Sequence, residues 1–532
     1  MPPFRIRTLT AITSAMVLAL TSVGVAACTP TPTPTPSSNP GGNGNPGSDA
    51  VGSVTQERVD AAVKGLPASI KKLMADTGVP GLAVAVVYQG KTVFAEGYGV
   101  RSLETKASVD PNTVFQLASV SKSVGATVIA AEVGKGTVAW DTPLIKNLPD
   151  FALADPWVTQ HVTIADMYTH RSGLPNHAGD ELEDLGYDRA EVLNRLRLAP
   201  LAEFRAADDY TNFGLTAAAE SVAKAAGLDW ASLSERDLYQ PLGMTSTSSR
   251  YADFAVRDDR AVGHVLKDGA WQVTTQQRQP DAQSAAGGVS SSVIDMAAWM
   301  KLVLAGGTHD GKPLIAKEAL VPAITGQFAS KPAKSADARS GMVGYGFNVG
   351  ITAGGLTSLS HSGAFALGAG TAFTMLPSQG LGIVVLTNGS PVGLPETITA
   401  EFMDLAQFGT LRQDWSTLYK GGFAPLMAPV GELAGKPAPT NPAAAKPLGD
   451  YAGTYNNAYY GPAKVTVVGD HLELVVGPAA VVWPLKHWDG DVFTYAPSNE
   501  NATPGTVGKA TFSGSTLVLE LMEAHGLGTF TR

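Results

Sequence analysis

Ser119-Val120-Ser121-Lys122 sets a hydroxyl and an amine three residues apart at the start of an expected helix. A three-residue step on a helix puts both side chains on one face, so the lysine can reach the serine oxygen. Serine is a poor nucleophile until a neighbouring base takes its proton, and this pair supplies that base. A helix start adds unpaired backbone N–H groups and the positive end of the helix dipole, both favourable to an oxyanion developing on an attacked carbonyl. The chemistry these residues fit is acyl transfer through Ser119. The chain carries its own control, because Ser69-Ile70-Lys71-Lys72 has the same spacing inside an ordinary amphipathic pattern, where it reads as a solvated helix face.

Two further groups could serve such a nucleophile. In Tyr210-Thr211-Asn212, the phenol near an amine can act as base or relay a proton to a leaving group, and the amide can hydrogen-bond a substrate amide. In His361-Ser362-Gly363-Ala364, expected at the end of a short strand, the glycine lets a substrate backbone approach and the imidazole can hold a proton or a carboxylate. An acidic cluster, Asp180, Glu181, Glu183 and Asp184, matches no motif and reads as a solvated loop. His170, His177 and His264 read as structural or surface residues.

The elements that must position these residues follow from periodicity. Val59, Val63, Leu66, Ile70, Leu73 and Met74 recur at helical spacing, with Pro67 expected to kink or restart that helix. Residues 81–90 and 91–99 read as a hairpin turning at Gln89-Gly90. Helices are expected at 120–133, 216–226, 293–304 and 401–408, and strands at 357–360, 371–376 and 381–386. That order predicts an α/β domain whose antiparallel sheet draws strands from both of its ends and packs helices on its faces. Residues 411–446, rich in Pro, Ala and Gly, read as a linker, and 447–532 as alternating short strands of a small all-β barrel or sandwich.

Taken in this chain order, the three motifs resemble those of the penicillin-recognising serine hydrolases: class C β-lactamases, D-alanyl-D-alanine carboxypeptidases, D-aminopeptidases and related esterases. The resemblance covers the span from Val54 to Phe408 and includes His170-Arg171-Ser172-Gly173-Leu174-Pro175, Pro241-Leu242-Gly243-Met244, Ala286-Gly287-Gly288-Val289 and Leu386-Thr387-Asn388. It implies a β-lactamase/transpeptidase-like antiparallel sheet flanked by helices, with a helical subdomain, over residues 54–410. It implies that Ser119 is the nucleophile and that Lys122 and Tyr210 share acid and base work. Asn212, His361, Gly363 and Ala364 would bind substrate, and the amides of Ser119 and Ala364 would form the oxyanion hole. Tyr451-Ala452-Gly453-Thr454-Tyr455 and the closing Gly528-Thr529-Phe530-Thr531-Arg532 resemble a lipocalin-like C-terminal domain of some peptidases in this superfamily. His361 departs from the Lys-Thr-Gly of many β-lactamases and is similar to the carboxypeptidase and D-aminopeptidase branch. Hydrolysis of D-amino-acid peptides or small esters is therefore expected ahead of β-lactam hydrolysis or a non-catalytic penicillin-binding role.

Arg5, Arg7 and the apolar run over 9–27 have the layout of a secretory signal, and Val25-Ala26-Ala27-Cys28 resembles a bacterial lipobox. Residues 1–27 are expected to be removed, Cys28 to carry the lipid that anchors the protein to a membrane outside the cytoplasm, and residues 28–53, with four Thr-Pro repeats, to form a tether. Cys28 is the chain's one cysteine, which excludes an internal disulfide and cysteine metal sites. No Gly-x-Ser-x-Gly elbow, His-x-His or His-Glu-x-x-His occurs, so neither an α/β-hydrolase nor a metallohydrolase is indicated, and no cofactor is expected. A formal charge of -9 argues against nucleic acid as a partner and for a small-molecule or peptide substrate, and nothing in the sequence sets the oligomeric state.

Overall fold

The computed structural model describes residues 53–336 and 338–532. The signal segment, Cys28 and all but the last residue of the tether lie outside them. Among the described residues no helix is long and apolar enough to cross a membrane.

Helix α1 (Gln56–Thr77) runs unbroken through Pro67, where a kink was expected. It is followed by the hairpin β1 (Gly81–Tyr88) and β2 (Lys91–Gly99), whose turn residues Gln89 and Gly90 both have positive φ, 48° and 74°, as a tight two-residue hairpin turn requires. Helix α2 (Ser121–Gly134) follows, then a helical region that includes α3 (Asp180–Asp184) and α4 (Asn212–Ala226), then α5 (Val293–Leu304). Six strands complete the sheet: β3 (Phe328–Lys331), β4 (Gly341–Val343), β5 (Asn348–Ile351), β6 (Thr357–Phe365), β7 (Ala369–Leu376) and β8 (Leu381–Thr387). Helix α6 (Leu394–Phe408) closes the domain.

The strands form one antiparallel sheet in the order β2-β1-β8-β7-β6-β5-β4-β3, so the N-terminal hairpin pairs with the last strand. Every residue of β1 is buried, because its two faces serve two layers. Leu82, Val84 and Val86 pack with Ile70 and Leu73 of α1 and with Ile398 and Phe402 of α6, while Ala83, Ala85 and Val87 belong to the larger core with α2 and α5. The alternation of side chains along a strand thus explains an apolar run with no polar face.

Residues 411–446, expected as a linker, carry a helix at Trp415–Phe423 before the C-terminal domain. That domain is a meander of eight strands, β9 (Gly453–Tyr455), β10 (Ala463–Val468), β11 (His471–Val476), β12 (Val481–Asp489), β13 (Val492–Tyr495), β14 (Gly508–Ser513), β15 (Thr516–Leu519) and β16 (Thr529–Thr531), each paired with the next. Asn456 and Thr531 exchange backbone hydrogen bonds of 2.7 and 3.0 Å, which nearly closes the barrel and leaves little free edge. Its interior is filled by Tyr455, Leu474, Trp483, Phe493, Tyr495 and Phe512. The expected lipocalin-like all-β domain is present.

Candidate active site

Ser119 sits in a single helical turn, Ala118–Val120, that leads into α2. Ala118 before it is held at φ 46°, a left-handed conformation that costs a non-glycine residue about 1 kcal/mol or more and tends to persist where function needs it. Lys122 is wholly buried, and its Nζ lies 3.0 Å from Ser119 Oγ, 2.7 Å from Asn212 Oδ1 and 3.0 Å from the Ala286 carbonyl. The Tyr210 hydroxyl donates to Ser119 Oγ at 2.8 Å, and Lys122 Nζ stands 4.6 Å from the Tyr210 ring centre. Ser119, Lys122, Tyr210 and Asn212 are therefore brought together, although 91 residues separate the tyrosine from the serine.

Burial sets the proton inventory. Loss of hydration pushes the Lys122 amine down to about 7, with the Asp180 carboxylate acting against it. Burial raises the Tyr210 phenol, so it remains a donor at neutral pH. Lysine at this value is half neutral near pH 7, able to accept the proton of Ser119 while the tyrosine holds one to give.

His361 lies inside β6 and not at a strand end, since the strand extends to Phe365. Burial, then the Lys122 charge, pushes its pKa down to about 3, so the ring is neutral, with Nδ1 2.7 Å from the Ser362 carbonyl. It offers a hydrogen bond to substrate but no positive charge for a carboxylate, which narrows the role expected of it. Gly363 needs to be glycine: a Cβ there would come within 2.4 Å of the Leu117 carbonyl and 2.9 Å of the Ser119 amide nitrogen. That closeness is what sets the strand bearing Ala364 against Ser119.

Several residues at the site carried no catalytic signal in the sequence. Asp180 is buried, accepts a hydrogen bond from Asn212 Nδ2 at 2.8 Å and lies 2.7 Å from His177 Nδ1. His170 is buried beside Tyr210, ring centres 4.4 Å apart, and its Nδ1 accepts from the Thr211 amide at 3.1 Å. His170 and Ala286 stand in two of the motifs that carried the resemblance, a signal that was there to find them although His170 reads from sequence as structural or surface. The acidic cluster is not a solvated loop: it forms α3, Asp180 is buried, and the Glu183 and Asp184 side chains are each 6% exposed against Arg278. His264 is a buried structural residue whose Nε2 accepts from the Leu103 amide. Ser69 Oγ donates to Glu401 at 2.8 Å while Lys71 and Lys72 are exposed, so the second Ser-x-x-Lys has no assembled site.

A separate cavity of about 1120 Å³, bordered by Glu183, Tyr187, Arg189, Gln277 and Arg278, reaches Leu367 in the turn after β6, and none of Ser119, Lys122, Tyr210 and His361 lines it.

Residues 66–408 match the Beta-lactamase family, and residues 437–516 match a domain of unknown function, DUF3471. Unguisins hydrolase ungD of Aspergillus violaceofuscus (strain CBS 115571) is 30% identical over 241 residues, 42% of this chain and 42% of that protein. Unguisins hydrolase ungD' of Aspergillus campestris (strain IBT 28561) is 24% identical over 443 residues, 79% and 80% of the two chains. The chain thus spans less than half the length of the first relative and four fifths of the second. The octameric penicillin-binding protein homologue from Pyrococcus abyssi superposes with a TM-score of 0.57 at 20% identity, covering 88% of this chain and 100% of that one, a likeness of fold.

Proposed function

This chain belongs to the beta-lactamase family, its match running over residues 66–408, and from that premise we propose that it is a hydrolase working through an acyl-enzyme on Ser119. The observation that carries the reading is the convergence on Ser119 Oγ of Lys122 Nζ at 3.0 Å and the Tyr210 hydroxyl at 2.8 Å. Neutral Lys122 takes the serine proton as Oγ bonds to the substrate carbonyl carbon. Negative charge collects on the carbonyl oxygen between the amides of Ser119 and Ala364, worth about 3 to 4 kcal/mol per donor in such sites. Tyr210 protonates the departing alcohol or amine as the scissile bond breaks, and is reprotonated through Lys122. Water then adds to the acyl carbon, and the serine leaves with a proton returned to it.

The substrates we propose are small esters and amides of D-amino-acid peptides, ahead of β-lactams. A neutral His361 gives no cation to pair with a substrate carboxylate, which favours acyl donors that lack one over β-lactams, which carry one. The similarity to two unguisins hydrolases supports hydrolysis as the reaction. We also propose that residues 1–27 are cleaved and that Cys28 is lipidated, anchoring the enzyme outside the cytoplasm. Cys28→Ser is expected to move the protein from the membrane to the soluble fraction, and continued membrane partition would refute the anchor.

Intact-mass spectrometry after exposure to a fluorescent penicillin, a p-nitrophenyl ester and a D-alanyl p-nitroanilide tests the reaction. A Ser119 adduct, or turnover lost in Ser119→Ala and kept in Ser69→Ala, is the expected result. Full turnover by Ser119→Ala would sink the assignment, and adduct formation with penicillin alone would favour the penicillin-binding reading.

A further inference from the structure

We propose that Glu500, carried on the C-terminal barrel between β13 and β14, is a positioning residue for the hydrolase site: its carboxylate fastens the turn that follows β6 and so keeps Ala364 in place against Ser119. The proposal rests on the reading that the amides of Ser119 and Ala364 receive the oxyanion.

The hairpin of β6 and β7 turns through residues 366–368. Glu500 Oε1 accepts the Ala366 amide at 2.7 Å and Oε2 accepts the Leu367 amide at 3.2 Å, so one carboxylate satisfies two neighbouring turn donors from another domain. The same turn is gripped from the α/β side, where the Ser390 hydroxyl donates to the Ala366 carbonyl at 2.7 Å. A side chain on Gly368 would meet the His264 amide. Ala364 is two residues from Ala366, so displacement of the turn carries directly into the strand that faces the nucleophile. Misplacement by about 1 Å can cost on the order of a hundredfold in rate.

Two observations separate this contact from simple adhesion between domains. Glu500 is half-buried and both of its oxygens accept turn amides, which calls for the ionised form; loss of hydration opposes that form and raises the pKa to about 8, while Arg278 nearby favours it. Arg278 in turn lies 5.3 Å from the centre of the Phe365 ring, next to Ala364, and pairs with Glu183. The adjacent Asn501 supplies the adhesion, donating its amide and side-chain N–H to Asp184 at 3.2 and 2.8 Å.

The test uses the full chain and its Glu500→Gln, Glu500→Asp and Asn501→Ala variants, with a p-nitrophenyl ester as substrate and amide hydrogen exchange as a second readout. Glu500→Gln, equal in size but unable to accept both amides, is expected to lower kcat about tenfold or more with KM changed less than about threefold, and to speed exchange over residues 363–371 about tenfold. Glu500→Asp should fall between, and Asn501→Ala should keep kcat within about twofold. Unchanged exchange in Glu500→Gln, or an unchanged kcat despite faster exchange, overturns the proposal. Absence of Ser119-dependent turnover in the unaltered protein would defeat the acyl-enzyme reading instead, while the exchange rates still decide whether Glu500 holds the turn.

Discussion

The base role proposed for Lys122 rests on its discomfort as a cation. Buried with three acceptors and no direct carboxylate, it titrates near 7 rather than at the usual lysine value. The form needed for attack is the neutral amine, so kcat/KM for a non-ionising ester should rise with pH and level off above about 7. Asp180 is the charge that holds this value up; Asp180→Asn should shift the acid limb to lower pH in the same rate measurement, and an unmoved limb would assign it to another group. Tyr210 has the opposite property, a phenol that burial keeps protonated. Steady-state kinetics of Tyr210→Phe should show kcat reduced about a hundredfold or more with KM little changed, since a proton donor is lost and little contact area.

At the scale of elements, the proposed reaction depends on how closely β6 can approach the turn before α2. Gly363 permits that approach, and Thr371 of β7 helps to fasten it by donating to the Leu117 carbonyl at 2.7 Å. Gly363→Ala would place a methyl group 2.4 Å from the Leu117 carbonyl and the Thr371 hydroxyl, so the strand must retreat. The expected outcome is a loss of about a hundredfold in kcat/KM and about 1–3 kcal/mol of stability, read by ester hydrolysis and urea unfolding. A variant of normal activity would show that the strand does not need this separation.

Across the whole molecule the barrel and the α/β domain share buried charge. Arg278 is 9% exposed and faces Glu183, Asp184 and Glu500, two of them from α3 and one from the barrel. Tyr459 of the barrel accepts the Gly179 amide at 2.8 Å, just before Asp180, and His525 Nε2 lies 3.0 Å from the Asn176 carbonyl. Arg278→Met would leave the buried Glu183 and Asp184 side chains and the half-buried Glu500 without their cation and is expected to destabilise by about 3–5 kcal/mol in chemical denaturation. Loss of only a few tenths would place the cohesion of the two domains in their apolar contacts.

Local patterns sufficed for the sheet's central strands, the hairpin turn, the flanking helices and the Ser-x-x-Lys, because each depends on side-chain period, turn chemistry or a spacing of a few residues. The barrel was legible for the same reason, its strands alternating buried and exposed positions. Pairing between distant residues was not legible. Asp180, Glu183 and Asp184 read as solvated because charge favours water, and only the fold brings Arg278, some 95 residues on, and Asn501, some 317 residues on, to meet them. The same holds for His361, whose type suggested a proton carrier until burial beside Lys122 made it neutral. Residue type and spacing determine which chemistry is available to this chain. Desolvation and the convergence of remote side chains, which exist only in the folded protein, decide which groups carry charge and what the barrel contributes to the site.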